Sequence, residues 1–249
     1  MIDSYLRLLV VSPHFDDTVF SCGALLAATP GATVCTVFAA TPPDAIVTDW
    51  DRQCGFQDAH QAMRAQQAED DAALAVLDAR PLRLNFLDSQ YLRQSANSSS
   101  RSIVQALSAT IRDIQPTMLH IPPGLFHSDH ALAHEAAIEA WRTHPSLQCV
   151  AYEDCLYRYM DGLVQTRIAE LAARDIVATP VLDPFDLEGL KRALELKCAA
   201  VSHYASQLRT FGHGGYDDVF TSARVDAEVR TGFRPCTANL MKQQHLRSD

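Results

Sequence analysis

The chain has 249 residues, 47% of them apolar and 20% charged, which is ordinary globular composition with enough apolar material for one sizeable core. A net charge of -9 argues against a nucleic-acid partner, whose phosphates need a basic face. No apolar run approaches the ~20 residues of a membrane span, no basic cleavable leader precedes the first strand, and the seven cysteines form no Cys-x-x-Cys pair. A cytoplasmic protein with reduced thiols is expected.

The first element is the apolar run Leu6–Val11, read as a buried strand. The turn His14-Phe15-Asp16-Asp17-Thr18 follows, and then small residues from Ser21 that read as the opening of a helix at 22–28. Further strands are expected at 33–39, 82–86, 117–121 and 148–152, with helices at 56–78, 100–114 and 130–142. The stripe Ile103, Leu107, Ile111, Ile114 has helical spacing. Residues 40–55 are polar and irregular and read as a wall or lid. Asp183-Pro184 reads as an N-cap followed by proline at the first helical position, opening a helix that runs to about Gln207. Phe211–Tyr216 reads as a loop.

Strands alternating with helices predict an α/β fold: a Rossmann-like, mostly parallel sheet with helices on both faces. Residues 1–249 are expected to form one domain with a variable segment at about 208–249. Ligands of such sheets bind at the carboxyl edge of the strands. The first strand leads to His14 there, and the strand ending near Ile121 leads to a second cluster, His127-Ser128-Asp129-His130.

Together these clusters suggest metal chemistry. A catalytic zinc usually takes three protein ligands and leaves one position open. His14, Asp17 and His130 supply two nitrogens and a carboxylate. Asp16 is then the free carboxylate beside the metal, suited to take a proton from water. His127, as a protonated imidazole, would steady an oxyanion or protonate a leaving amine, and Asp129 would hold one of the histidines by a hydrogen bond. Each motif also has a plain structural reading, Asp-Asp as a helix cap and His-x-x-His as surface histidines. His134, four residues after His130, is a rival ligand for which a structural role, or one supporting a ligand, is preferred. Other site types fail on spacing. Leu125 breaks a His-x-His-x-Asp-His pattern, the adjacent aspartates do not form Asp-x-Asp, and no Gly-x-Gly-x-x-Gly turn follows the first strand.

Ser12-Pro13-His14-Phe15-Asp16-Asp17 with Ser21-Cys22-Gly23 resembles the first motif of the PIG-L/LmbE-like N-deacetylases, and His127-Ser128-Asp129-His130 resembles their second. Arg64, Glu69 and Ala72-Ala73-Leu74, then Leu84–Asp88, then Lys197, Ala200 and Tyr204–Gln207 are similar to flanking family features, so the likeness spans about residues 5–207. It implies zinc-dependent removal of an N-acetyl group from an amino sugar, with one Zn2+ per chain and Fe2+ or Co2+ as metals that the same ligands accept. It assigns His14, Asp17 and His130 to the metal, Asp16, His127 and Asp129 to catalysis, and Arg64 to substrate binding. The chain departs from the pattern at Phe15, where proline is common, at Thr18, where glutamate is, and at Leu125, where some sugar deacetylases carry tyrosine.

The expected partner is a small N-acylated molecule, an amino sugar or a sugar-bearing natural-product intermediate, with neither nucleic acid nor membrane; monomer and homo-oligomer both stay open. Two rivals remain: an amidase acting on a thiol conjugate, and a non-catalytic sugar- or metal-binding protein on the same fold.

Overall fold

A computed structural model describes residues 6–92, 100–155, 157–180, 186–210 and 238–242. Seven strands make one sheet: β1 (Leu8–Ser12), β2 (Thr33–Thr36), β3 (Arg80–Arg83), β4 (Met118–Ile121), β5 (Gln148–Ala151), β6 (Ile176–Thr179) and β7 (Ala238–Lys242). Their spatial order is β3-β2-β1-β4-β5-β7-β6. The first five in that order pair in parallel, while β7 is antiparallel to both β5 and β6. The helices are α1 (Asp17–Ala28), α2 (Asp49–Cys54), α3 (Ala59–Val76), α4 (Ser100–Ile114), α5 (Ser128–Arg142), α6 (Leu163–Ala172), α7 (Leu187–Val201) and α8 (Ala205–Thr210).

Every residue of β1 is buried, because helices cover both of its faces. Successive side chains of a strand point to opposite faces. Leu9 and Val11 accordingly pack with Ile103 and Leu107 of α4 and Ala133 and Ala137 of α5. Leu8 and Val10 pack with Val19 and Leu26 of α1, Leu74 of α3 and Val201 of α7. The chain leaves β1 toward β2 on one side and returns to pair β4 on the other. This reversal opens a crevice at the carboxyl ends of β1 and β4, the usual ligand position in such sheets.

Several expectations are corrected. α1 begins at Asp17, and the small-residue stretch instead marks a kink at Cys22, whose φ of -126° and ψ of 26° are non-helical. The 40–55 region is not wholly irregular. It contains α2, closed by a reciprocal capping box between Thr48 and Asp51. It is fastened to the chain after β3 by Thr48 Oγ1 donating to Gln90 Oε1 at 2.8 Å and Tyr91 Oη donating to the buried Asp51 at 2.8 Å. β3 lies two residues earlier than expected, with pairing carried on by Leu84 N–H to the Thr36 carbonyl. Asp183-Pro184 and Phe211–Tyr216 fall outside the described residues. α7 is capped instead by Asp186, which accepts from Gly189 N–H at 2.8 Å, and a turn at 202–204 separates it from α8. α6, β6 and β7 were not anticipated.

Candidate active site

The first motif sits where β1 turns into α1. Asp16 is the N-cap residue of α1, yet its side chain makes no capping bond. Ser12 does that work, its Oγ accepting from Thr18 N–H at 3.2 Å while donating to the His14 carbonyl at 2.6 Å. The plain reading of Asp-Asp as a helix cap therefore fails for Asp16, whose carboxylate is left available. Asp17 turns inward. Its Oδ2 accepts from His14 N–H at 2.8 Å and lies 3.2 Å from His14 Nδ1 and 3.3 Å from His130 Nε2.

That spacing bears on metal binding. Zinc bonds of about 2.0–2.2 Å to nitrogen and oxygen set tetrahedral donors about 3.3–3.5 Å apart. The donor atoms of His14, Asp17 and His130 all lie within 4.8 Å of one another, with the two Asp17 edges close to that value. The group can hold a metal ion. His14, His127 and Asp129 also cluster, but there the Asp129 carboxylate is engaged with His14. Asp129 Oδ2 faces His14 Nε2 at 3.2 Å and accepts from Ser89 N–H at 3.0 Å. A proton held on Nε2 in this way leaves Nδ1 of His14 as the free ligand atom.

His130 has a different supporter, which sequence reasoning missed. Asp154, buried just after β5, places Oδ1 3.2 Å from His130 Nδ1. Alignment falls short of a hydrogen bond, so charge carries the contact. Asp129 thus serves His14 and Asp154 serves His130. The available signal was an acidic pair, Glu153-Asp154, at the carboxyl end of a strand beside the two motif strands. Asp88 also approaches His14 Nε2, at 3.6 Å. His134 is fully buried, with Nδ1 bonded to the Pro122 carbonyl at 2.8 Å, so it is structural as preferred.

Electrostatics separates the two adjacent aspartates. Burial, and then the Asp17 charge, push Asp16 up to about 7. Burial also opposes charge on Asp17, but His130 and His14 outweigh it and hold that carboxyl well below the usual range. Burial works against charge on His130 as well, and there Asp17 and Asp154 win and raise it to about 10. His127 goes the other way, lowered by burial and by the His14 charge. Its Nδ1 accepts from Asp129 N–H at 3.2 Å, so the neutral ring carries its proton on Nε2. A neutral His127 of this tautomer would be a hydrogen-bond donor, where the sequence reading expects a protonated ring.

Phe15, in the place where proline is common, is fixed by tertiary contacts. Its buried ring packs with Met63 and Tyr91, and the Arg83 guanidinium lies 5.5 Å from its centroid. Tyr204 Oη is 3.2 Å from the Phe15 carbonyl and 3.0 Å from Asp70 Oδ1, and Arg83 donates to Asp70 Oδ2 at 2.7 Å. Close by, Glu69 of α3 accepts from both the N–H and the hydroxyl of Ser206, joining two flanking features that the sequence showed separately. Arg64 is exposed on α3.

Fold and site together define an α/β protein whose His/Asp group, able to hold a metal, sits at the switch point of the sheet. The family model for GlcNAc-PI de-N-acetylase, PIG-L, matches residues 9–141, and the chain belongs to that family. Among solved structures it is similar to the A40926 pseudoaglycone deacetylase Dbv21, at 24% identity over 97% of this chain and 99% of that one, with a TM-score of 0.70. A triple mutant of a deacetylase from the teicoplanin biosynthetic pathway matches at 23% identity over 96% and 99%, with a TM-score of 0.72. The zinc-inhibited form of teicoplanin deacetylase Orf2 matches at 21% over 94% and 96%, with a TM-score of 0.68. No curated protein matches. Among the described residues no helix is long and apolar enough to cross a membrane.

Proposed function

We propose that this protein is a zinc-dependent N-deacetylase acting on an amino sugar borne by a small molecule, a glycopeptide-antibiotic intermediate being the class suggested by its structural relatives. The observation that carries this reading is the Asp16 carboxylate, free of any capping bond and within electrostatic reach of three converging donors of metal-ligand spacing. His14, Asp17 and His130 would hold the zinc, which when bound polarises the amide carbonyl and makes water a better nucleophile.

Asp16 takes the proton of the attacking water. Burial raises the proton affinity of this carboxylate in the metal-free site, and a bound cation would draw it back toward the ionised form that accepts a proton. The electrons of the carbonyl bond move onto oxygen, and His127 donates its Nε2–H to the oxyanion, as a neutral imidazole suits. As the C–N bond breaks, Asp16 passes its proton to the departing amine, and the acyl group leaves as a carboxylic acid that then ionises to solvent. Asp129 holds His14 in the required tautomer, and Arg64 on the exposed side of α3 contacts the substrate beyond the amide. The test is acetate release from N-acetylglucosamine and its glycosides by the zinc-loaded protein, with thiol-conjugate amides as the comparison. Faster turnover of the thiol conjugates would move the activity to the rival amidase.

A further inference from the structure

Phe126 precedes His127 and has two costly features. Its φ is +57°, and His127 N–H bonds back to the Leu125 carbonyl at 2.7 Å, making a three-residue γ-turn of the strained, positive-φ kind. Such a backbone costs on the order of 1–3 kcal/mol and persists where surrounding structure enforces it. Its ring is also 57% exposed, the one exposed aromatic among the described residues. Glycine or asparagine would take this φ at less cost and without exposing an apolar ring.

The ring does not stand alone. Its centroid is 5.3 Å from that of Tyr157, tilted by 37°, and Tyr157 in turn meets His130 edge-on at 5.2 Å. A continuous aromatic path thus runs from a metal-site histidine out to solvent. Asp154 ties its two loops together, since it contacts His130 and accepts from Leu125 N–H at 3.4 Å. Buried Leu125 turns inward while Phe126 faces out, so the turn sets His127 and the exposed ring in fixed relation.

We infer that Phe126 and Tyr157 form a platform at the mouth of the site that receives an apolar or aromatic group of the substrate, attached to the N-acyl amino sugar within reach of the amide. The inference rests on the deacetylase reading and narrows its substrate class, from any N-acyl amino sugar to one with an apolar appendage. That appendage sits either on the sugar or in the acyl chain, and both offer the same chemistry to the rings.

Three probes separate these cases: N-acetylglucosamine, 4-nitrophenyl N-acetyl-β-glucosaminide with an aromatic group on the sugar, and N-octanoylglucosamine with an apolar acyl chain. Each is tested with the zinc-loaded wild type, Phe126→Ala and Phe126→Gly, the glycine relieving the turn so that misfolding does not decide the result. In both variants the ratio of kcat/KM for an apolar probe to that for N-acetylglucosamine should fall roughly tenfold, through KM, as expected for one lost aromatic contact. The probe that shows the fall identifies where the appendage sits. Unchanged ratios, or an equal loss of kcat on all three probes, overturn the platform and leave the turn as a support for His127. If the wild type hydrolyses none of the three, the deacetylase reading fails. Calorimetric dissociation constants for the same probes then judge the platform alone, with an unchanged ratio again overturning it.

Discussion

Replacing Asp154 tests the support of the proposed metal site, in which this residue would act on the ligand His130 without being a ligand itself. Its Oδ1 is 3.2 Å from His130 Nδ1, and both side chains are nearly inaccessible to water. The contact is charge-borne, so Asp154→Asn, which keeps volume and removes charge, isolates the effect. An anionic partner makes the imidazole a stronger donor through its other nitrogen, and loss of such partners typically weakens metal binding by 10- to 100-fold. That corresponds to about 1.4–2.8 kcal/mol. Zinc dissociation constants measured by chelator competition should rise by that factor in Asp154→Asn. Asp129→Asn, acting through His14 at the same distance of 3.2 Å, should cause a comparable rise. Wild-type affinity in Asp154→Asn would refute the idea that buried charge behind His130 tunes the site.

Other consequences follow from the same geometry. At neutral pH without metal, His130, held at about 10, and His14, held well above its ordinary value by Asp88, Asp129 and Asp17 against burial, both carry an extra proton. Zinc binding at pH 7 should therefore release roughly two protons, read from calorimetry in buffers of different ionisation enthalpy; no release would contradict this ligand set. Tyr204→Phe removes the hydroxyl between the Phe15 carbonyl and Asp70, so stability should fall by about 1–3 kcal/mol in denaturant melts and kcat should fall with zinc retained. Unchanged kcat would show that the clamp does not position Asp16. Burial, outweighing the Pro122 hydrogen bond, lowers His134 to about 4, and its ordinary value is 6.5. Its neutral form thus contributes stability that is present above pH 6.5 and lost as pH falls toward 4, about 3 kcal/mol in all. His134→Gln should flatten melting temperature against pH in that window, and an unaltered slope would argue against it. Gly124 has φ +75°, and a Cβ there would lie 2.6 Å from His134 Cβ. Gly124→Ala should destabilise by more than about 1 kcal/mol in the same melts.

What could be read from the chain had local signals. β1 announces itself by its unbroken apolar run, and α4 by a stripe whose expected bounds, 100–114, match the helix found. His14, Asp17 and His130 were placed together because both motifs follow strands of one sheet, and the crevice between β1 and β4 brings them into contact. Asp154 escaped because one acidic residue after a strand has no distinctive spacing; only pairing of β5 with β4 puts it behind His130. The state of His127 escaped for a similar reason, since it depends on the Asp129 amide at the start of α5. Asp16 looked like a cap because nothing local to it shows that the Ser12 hydroxyl takes over capping. β6 and β7 are short strands at the far side of the sheet, and β7 lies 59 residues after β6 ends. Their pairing is set by tertiary context.

The division of labour between the two adjacent aspartates is the claim on which the account depends. The direct measurement is zinc content and acetate release, taken together on Asp16→Asn loaded with zinc, with 4-nitrophenyl N-acetyl-β-glucosaminide as substrate. The expected result is one zinc per chain, as in the wild type, with acetate release lowered by about 10²–10⁴-fold. Acetate release near the wild-type rate would contradict the base assignment, and loss of the zinc would make Asp16 a ligand instead.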